Sequence, residues 1–475
     1  MQQSEQSAGL PAYNRTVILI VLITGAFVAL LNQTLLIVAL PPIMNDFSID
    51  ANLAQWVTTA YLLTNGILIP VTAFLIERFS SRRLLLAASA LFAAGTLVAS
   101  VAPSFFFLLV ARVIQAAGAG MMMPLMQTIL LTIFPVNRRG SVMGLVGLAI
   151  GFAPAIGPTL GGWVLSFGSW RMLFTIVLPL AVLHLIAVVF FMKNVTRQHP
   201  VRIDLLSVVL STLGFGGLLY AFSSIGGEGW LSLTVLISTA VGAAALFLFI
   251  RRQLSLETPI LNFSVFRSRV YRLIIPMGMI TFALLIGTET LLPLYIQNVR
   301  GGTAFESGLL LLPGAIAMGA MSPFSGRIFD RFGAGWLVVT GFALQVVTTV
   351  PFVLMTPDTP LVLLGLVFGL RMLGLSMLMM PLSTAGINSL PGKLIPHGTA
   401  MDNTFRQIGG SIGTALLVSI MTGTAVAIQP MPDPPPSALM TGVRVAFLMG
   451  GILAVAGFIL ALRLKKLPAA SVPGE

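Results

Sequence analysis

Long apolar runs alternate with short polar stretches along the whole chain. The runs are about twenty residues each, enough to cross a bilayer as helices. Lipid gives the backbone no hydrogen-bond partners, so such runs are expected to close their own bonds as helices. The period-two alternation of a membrane barrel is weak here. The pattern predicts fourteen spans, at 16–39, 54–76, 84–102, 105–132, 141–164, 171–192, 204–224, 232–250, 271–297, 306–325, 335–356, 361–390, 401–424 and 443–464. An even number of crossings returns the chain to the side on which it began.

Composition agrees with that pattern. Of 475 residues, 57% are hydrophobic and 8% charged, more apolar surface than a water-soluble fold can hide. The first fifteen residues are polar, and the run that follows is too long for a signal-peptide core, so it is expected to stay as a span. The absence of cysteine excludes disulfides, thiol catalysis and thiolate metal sites. The net charge of +12 could suggest nucleic acid, but its placement suggests topology. With the termini and alternate loops on one side, that side holds twenty Lys or Arg residues and the other only Arg171, Arg300 and Arg444. This bias places both ends in the cytoplasm. No aromatic-interleaved basic surface accompanies the charge, so nucleic-acid binding is not expected.

One charged segment occurs twice. Ala73-Phe74-Leu75-Ile76-Glu77-Arg78-Phe79-Ser80, followed by Arg82-Arg83, is matched by Gly326-Arg327-Ile328-Phe329-Asp330-Arg331-Phe332-Gly333. At the same offset Pro70 falls on Pro323, Glu77 on Asp330 and Gly157 on Gly410. Both copies read as loops between spans. Such doubling points to a transporter built from two related bundles. The expected organisation is a tail at 1–15, a six-helix bundle at 16–192, two extra helices at 204–250, a connector at 251–270, a second six-helix bundle at 271–464 and a tail at 465–475. The stretch from Gln429 to Pro436 reads as a stiff outer spacer.

Two spans carry the most specific patterns. The fourth contains Arg112-Val113-Ile114-Gln115-Ala116-Ala117-Gly118, and a guanidinium inside a span must find partners. The fifth reads Gly151-Phe152-Ala153-Pro154-Ala155-Ile156-Gly157-Pro158-Thr159-Leu160-Gly161-Gly162. Small residues allow close helix packing and proline kinks a helix. On these segments, with Gln55-Trp56, Tyr61, Trp170-Arg171, the 293–297 block and the 403–410 block, the chain resembles the major facilitator superfamily. It is most similar to the fourteen-span drug:proton antiporters, which include multidrug and lincomycin-type exporters. The resemblance implies an all-α integral membrane fold of two six-helix bundles plus two extra central helices. It implies a gate latch at Glu77, Arg78 and Arg83, mirrored by Asp330 and Arg331. It also implies a sealing hinge at Gly151, Pro154, Gly157, Pro158, Gly161 and Gly162, and a proton-coupling or charge-setting role for Arg112. Ala73, Ser80 and Ala116 stand where the family pattern has glycine.

The first span departs from the family in a more consequential way. Its usual acid is replaced by Asn32, which exchanges no proton at physiological pH. Of the fourteen acids, most map to the faces or the termini, with Asp402 near the cytoplasmic face. Glu289 is left about 12 Å deep, by helical rise, in the ninth span. Intramembrane acids are expensive and usually functional, so Glu289 is the candidate proton site, about one turn from the counterpart of Asn32. The expected substrate cavity comprises Asn32, Gln33, Tyr61, Gln115, Met123, Gln127, Glu289, Tyr295 and Arg371. The methionines of the fourth and twelfth spans suit either a promiscuous lining or ordinary packing. His184, His199 and His397 stand alone in sequence and carry no assigned role.

No nucleophile–base group, metal cluster or phosphate-cradling loop stands out, so neither an enzyme nor a cofactor is expected. The expected partners are an amphipathic small molecule, protons and membrane lipid, with the protein a monomer in a bacterial inner membrane. Proton-driven drug export is the leading expectation. Export of a lipid or amphiphilic metabolite without strict proton coupling stays open, as does a membrane sensor or scaffold.

Overall fold

In the computed structural model, residues 13–49, 51–196, 198, 204–429 and 436–466 are described. The expected tails before 13 and after 466, and the proline-rich stretch 430–435, lie outside the described residues. Fourteen helices of at least 20 residues follow one another: α1 Arg15–Leu35, α2 Ala51–Arg78, α3 Ser81–Ser100, α4 Phe105–Ile133, α5 Arg139–Leu165, α6 Arg171–Phe191, α7 Leu205–Glu228, α8 Leu233–Ser255, α9 Arg269–Leu294, α10 Ala304–Phe332, α11 Ala334–Leu354, α12 Leu361–Asn388, α13 Ile395–Ile428 and α14 Pro436–Lys465. Thirteen of the helices, taken over their described residues, are long and apolar enough to cross a membrane. The described helices thus have the length and composition of a multi-pass membrane bundle.

Side chains set several helix starts. Asn14 accepts from the amides of Thr16 and Val17, Ser80 from Arg83, Ser232 from Val235 and Ser268 from Tyr271. Thr303 and Glu306 form a capping box at the start of α10. Two expectations are corrected by these boundaries. The doubled charged segments are helix ends, not loops: α2 runs through Arg78 and α10 through Phe332. Their arginines continue the helix well because long straight side chains cost it little. The thirteenth span begins at Ile395 rather than 401, which carries Asp402 two turns into a helix.

Packing divides the chain into two halves. In the first, α3 packs on α4 and α6, and α1 on α5; in the second, α11 packs on α12 and α14, and α9 on α13. The halves meet where α5 lies along α10 and α2 along α13. The extra pair α7–α8 closes on itself through glycines. A Cβ on Gly217 would lie 3.0 Å from the Gly242 Cα, and one on Gly214 would lie 3.1 Å from the Leu246 Cα. Asp204, just before α7, accepts from Arg252 near the end of α8 at 2.6 and 2.8 Å, and from Ser207. That bidentate pair holds its carboxyl down at about 2. α7 in turn rests on both α2 and α13.

Polar links between the halves gather at the end where α2 and α10 finish and α5 and α13 begin. At the opposite end the links stay within each half. There Asp46 accepts from Arg171 at 2.7 Å and from the Trp170 indole at 3.1 Å, while Arg171 also donates to the Ala102 carbonyl. The Arg171 hydrogen bond, with help from Trp170, holds the Asp46 carboxyl below its usual range. In the second half Arg444 donates to the Met355 carbonyl and Tyr295 to the Thr356 carbonyl.

Candidate functional site

Each half buries one arginine among neutral partners. Arg112 on α4 donates to the Asn32 side chain at 2.9 Å, the Gln115 side chain at 2.8 Å and the Val57 carbonyl at 3.1 Å. Its guanidinium lies 4.0 Å from the Tyr61 ring centroid. Arg112 and Gln115 share a face because they are three residues apart on a helix, and Gln115 passes its own N–H to Thr96 at 2.8 Å. Arg112 is 0% exposed, and its Nη2 has no hydrogen-bond partner among the described residues. Among the described residues no carboxylate partners Arg112; two side-chain amides, a backbone carbonyl and a ring face offset the desolvation of the charge.

The second half repeats the arrangement. Arg371 on α12 donates to Thr288 at 3.0 Å, to Thr349 at 3.0 Å and to the Gln345 carbonyl at 3.3 Å, and Gln345 donates back to the Arg371 carbonyl at 2.7 Å. Thr288 thus stands where Asn32 stands in the first half. Glu289 is the next residue. It is half-buried and makes no hydrogen bond or ion pair among the described residues. Pro293, four residues on, has no N–H to give to the Glu289 carbonyl, and the helix passes into a π-turn at Tyr295–Val299.

The remaining expected cavity residues distribute unevenly. Asn32, Tyr61, Gln115 and Arg112 come together, and Arg371 heads its own nest, but all five side chains are packed inside one half rather than facing open space. Asn32 and Gln115 spend their side-chain oxygens on Arg112, Tyr61 offers it a ring face, and Arg371 spends its donors on Thr288, Thr349 and the Gln345 carbonyl. Tyr295 is buried at the end opposite the basic one, where it donates to the Thr356 carbonyl. Gln127 accepts from Asn403 of α13 at 2.6 Å, which makes it a link between halves. Gln33 and Met123 are half-buried. Met121, Met122, Met379 and Met380 are buried in apolar packing.

Of the residues expected to form a latch, Asp330 and Glu77 make contacts between the halves at the basic end. The Asp330 carboxylate accepts from the Gly140 amide at 2.7 Å, the Ser141 amide at 2.7 Å and the Ser141 hydroxyl at 2.5 Å. It therefore caps the start of α5 from the other half, with the helix dipole favouring its charge. Glu77 meets His397 Nε2 in the first turn of α13 at 2.9 Å, while Nδ1 of that ring accepts from the Asn262 amide at 3.4 Å. Arg139 adds a link to Asn388 at 2.8 Å. Arg78 and Arg331 lie over the adjacent Phe79 and Phe332 rings, and Arg83 is exposed.

The hinge residues all fall inside α5, whose glycines face two ways. A Cβ on Gly144 would lie 2.6 Å from the Ser322 carbonyl oxygen of α10, and one on Gly151 would lie 3.1 Å from Met318. Gly157 faces Thr34 of α1 and Gly161 faces Val38 in the turn just after it: a Cβ would lie 2.7 Å from the Thr34 Cβ or the Val38 side chain, respectively. Around Gly162 nothing lies within 4 Å.

Two features escaped the sequence reading. Asp402 and Arg406, one turn apart on α13, form a buried pair at 3.0 Å; Ser383 donates to Asp402 at 2.6 Å and Arg406 to the Met379 carbonyl at 2.8 Å. Their i, i+4 spacing was the available signal, hidden by placing the span boundary at 401. The partner of Glu77, His397, carried no local signal at all. No group of three or more His, Cys, Asp or Glu suited to a metal occurs among the described residues.

A two-half helical bundle with a seam closed at one end and a buried polar nest in each half defines a membrane transporter. The Major Facilitator Superfamily profile matches residues 22–414, and the chain belongs to that family. It is 58% identical, over 96% of both chains, to the MFS-type transporter YcnB of Bacillus subtilis. It is 41% identical to the lincomycin resistance protein LmrB of Listeria monocytogenes, over 93% of this chain and 95% of that one. It is 30% identical to the multidrug resistance protein B homolog of Mycobacterium tuberculosis, over 85% and 75% respectively. In fold it is similar to the human organic anion transporter MFSD10, with a TM-score of 0.68 at 13% identity over 95% of this chain and all of that one.

Proposed function

We propose that this transporter exports amphipathic drugs or toxic compounds in exchange for protons, by alternating access. The observation that carries the reading is Glu289: a half-buried acid within a span, without a polar partner among the described residues, beside the Thr288–Arg371 nest. The relatives named for lincomycin and multidrug resistance support the substrate class. In this mechanism a proton from outside neutralises Glu289 and weakens its hold on a bound substrate. The substrate leaves outward, the halves rock, and the proton is released inside. Coupling requires that proton and substrate favour different states or compete for one charge. Segments 16–192 and 271–464 move as the two bodies. The fourteen spans lie in a bacterial cytoplasmic membrane with both termini inside, so the closed basic end is the cytoplasmic one. The carrier works as a monomer.

The test uses the full chain in vesicles with an imposed pH gradient, comparing wild type with Glu289→Gln on an ethidium-like dye. Loss of gradient-driven uptake with passive exchange retained is the expected result. Unchanged gradient-driven uptake in the variant would remove Glu289 from the mechanism. A wild type indifferent to the gradient would overturn antiport altogether.

A further inference from the structure

We propose that the hollow between the α4–α5 turn and the end of α10 binds the phosphate of an anionic lipid headgroup, and does so only while the basic end of the transporter is closed. The hollow has a volume of about 480 Å³ and is lined by Phe134, Arg138 and Ser141 from one half and Arg327, Asp330 and Arg331 from the other. Three arginines surround one acid. That acid is occupied: both Asp330 oxygens already accept from the start of α5. None of the three guanidinium groups forms an ion pair or a hydrogen bond among the described residues. The hollow therefore presents uncompensated positive charge with forked donors, the geometry that a phosphate accepts.

Its surroundings favour a lipid over a soluble anion. Phe324 and Phe332 are 55% and 63% exposed beside it, with Arg327 and Arg331 at 5.9 and 5.2 Å from their ring centroids. Nearby on α11, exposed Trp336 carries Lys465 at 3.2 Å. Aromatic rings carrying cations mark the level of the headgroups, and basic clusters there attract anionic lipid. A soluble phosphate would have no use for the rings.

State dependence follows from the lining. Arg138 belongs to one half and Arg327 and Arg331 to the other, and they are neighbours only because Gly140 lies against Gly326. A Cβ on Gly140 would stand 2.6 Å from the Gly326 carbonyl oxygen. Separating α5 from α10 pulls the arginines apart. A ligand that binds one of two states shifts the equilibrium toward that state.

The chain has no cysteine, so spin labels at Lys193→Cys and Gly392→Cys, exposed positions of the two halves at this end, report its closure without background. In nanodiscs, replacing about a third of the phosphatidylcholine with phosphatidylglycerol is expected to raise the closed-to-open ratio about tenfold, the shift given by a ligand near ten times its dissociation constant. Arg138→Gln with Arg331→Gln should abolish the response. Asn137→Glu, an exposed turn position on the rim, should abolish it with all arginines kept. Arg→Lys at both sites should retain part of it. A phosphatidylglycerol response of parental size in the Gln pair and in Asn137→Glu would overturn the site. Closure by millimolar glycerol phosphate in pure phosphatidylcholine would overturn the lipid as its occupant.

Discussion

Asp330 and Ser141 stand in different halves of the chain, yet the Asp330 carboxylate accepts from both the Ser141 amide, at 2.7 Å, and the Ser141 hydroxyl, at 2.5 Å. A charged cap of this kind is worth about 1–2 kcal/mol, and here it acts on the contact between halves rather than on one helix. Asp330→Asn is therefore expected to lower the closed-to-open ratio at the basic end about tenfold while leaving folded yield near wild type. Spin-label distances across that end measure it, and an unchanged distribution would contradict the latch.

The Glu77–His397 pair closes the other side of the same seam. The two latches share no residue, so their effects on the opening equilibrium should add. Glu77→Gln combined with Asp330→Asn is expected to shift the equilibrium by the product of the single shifts. The same label pair in the two single variants and the double variant completes the cycle; a double variant no more open than Asp330→Asn alone would show that Glu77 carries no load.

The two-faced glycine pattern of α5 separates stability from gating. Gly157→Val places bulk against Thr34 of α1 inside one half, so it should lower thermal stability in every state, by about 2–3 kcal/mol for overpacking. Gly144→Val places bulk against the Ser322 carbonyl of α10 and should open the seam while leaving each half intact. Melting in detergent and label distances should respond in opposite proportion in the two variants.

Asn32 accepts from Arg112 at 2.9 Å, and truncating one partner of a buried charge leaves the charge uncompensated, at about 3–5 kcal/mol. Asn32→Leu should abolish folded yield. Asn32→Asp keeps the shape, returns an acid to the first span, and should preserve folding while altering the pH profile of transport. Equal yields from both variants would mean that the nest contributes little.

Asp204 has its carboxyl held at about 2 by Arg252, below its unfolded value of about 3.9. A depressed acid contributes stability above the unfolded value and loses it as pH falls through the folded one. Asp204→Asn should thus lower the midpoint of α7–α8 unfolding at pH 7, by about 1 kcal/mol for a partly exposed pair. The gap from wild type should close between about pH 4 and 2. Hydrogen exchange across 205–255 reads this locally; a gap that persists at pH 2 would assign the effect to packing.

Hydropathy located nearly every span because lipid imposes one simple requirement on each: about twenty apolar residues with closed backbone bonds. Boundaries failed where the chain continues a helix past the membrane edge, as at Arg78, Phe332 and Ile395, since charged residues end a span but not a helix. That Arg112 would need buried partners was legible, because a buried guanidinium demands acceptors; that Asn32 and Gln115 supply them was not, since both were expected to line a substrate cavity. Sequence does not show whether such acceptors face a cavity or one another. Asp402–Arg406 was hidden by the boundary error, and Glu77–His397 by contact across most of the chain.

The α7–α8 pair touches both sides of the seam, since α7 lies on α2 and on α13. A body laid across a joint stiffens it on that flank. The opposite flank, where α5 meets α10, has no such strap and holds its own closure through glycines and a single cap. Rocking of the proposed kind would therefore be lopsided: the strapped edge would serve as the axle, and the widest travel would fall on the edge where Asp330 caps α5.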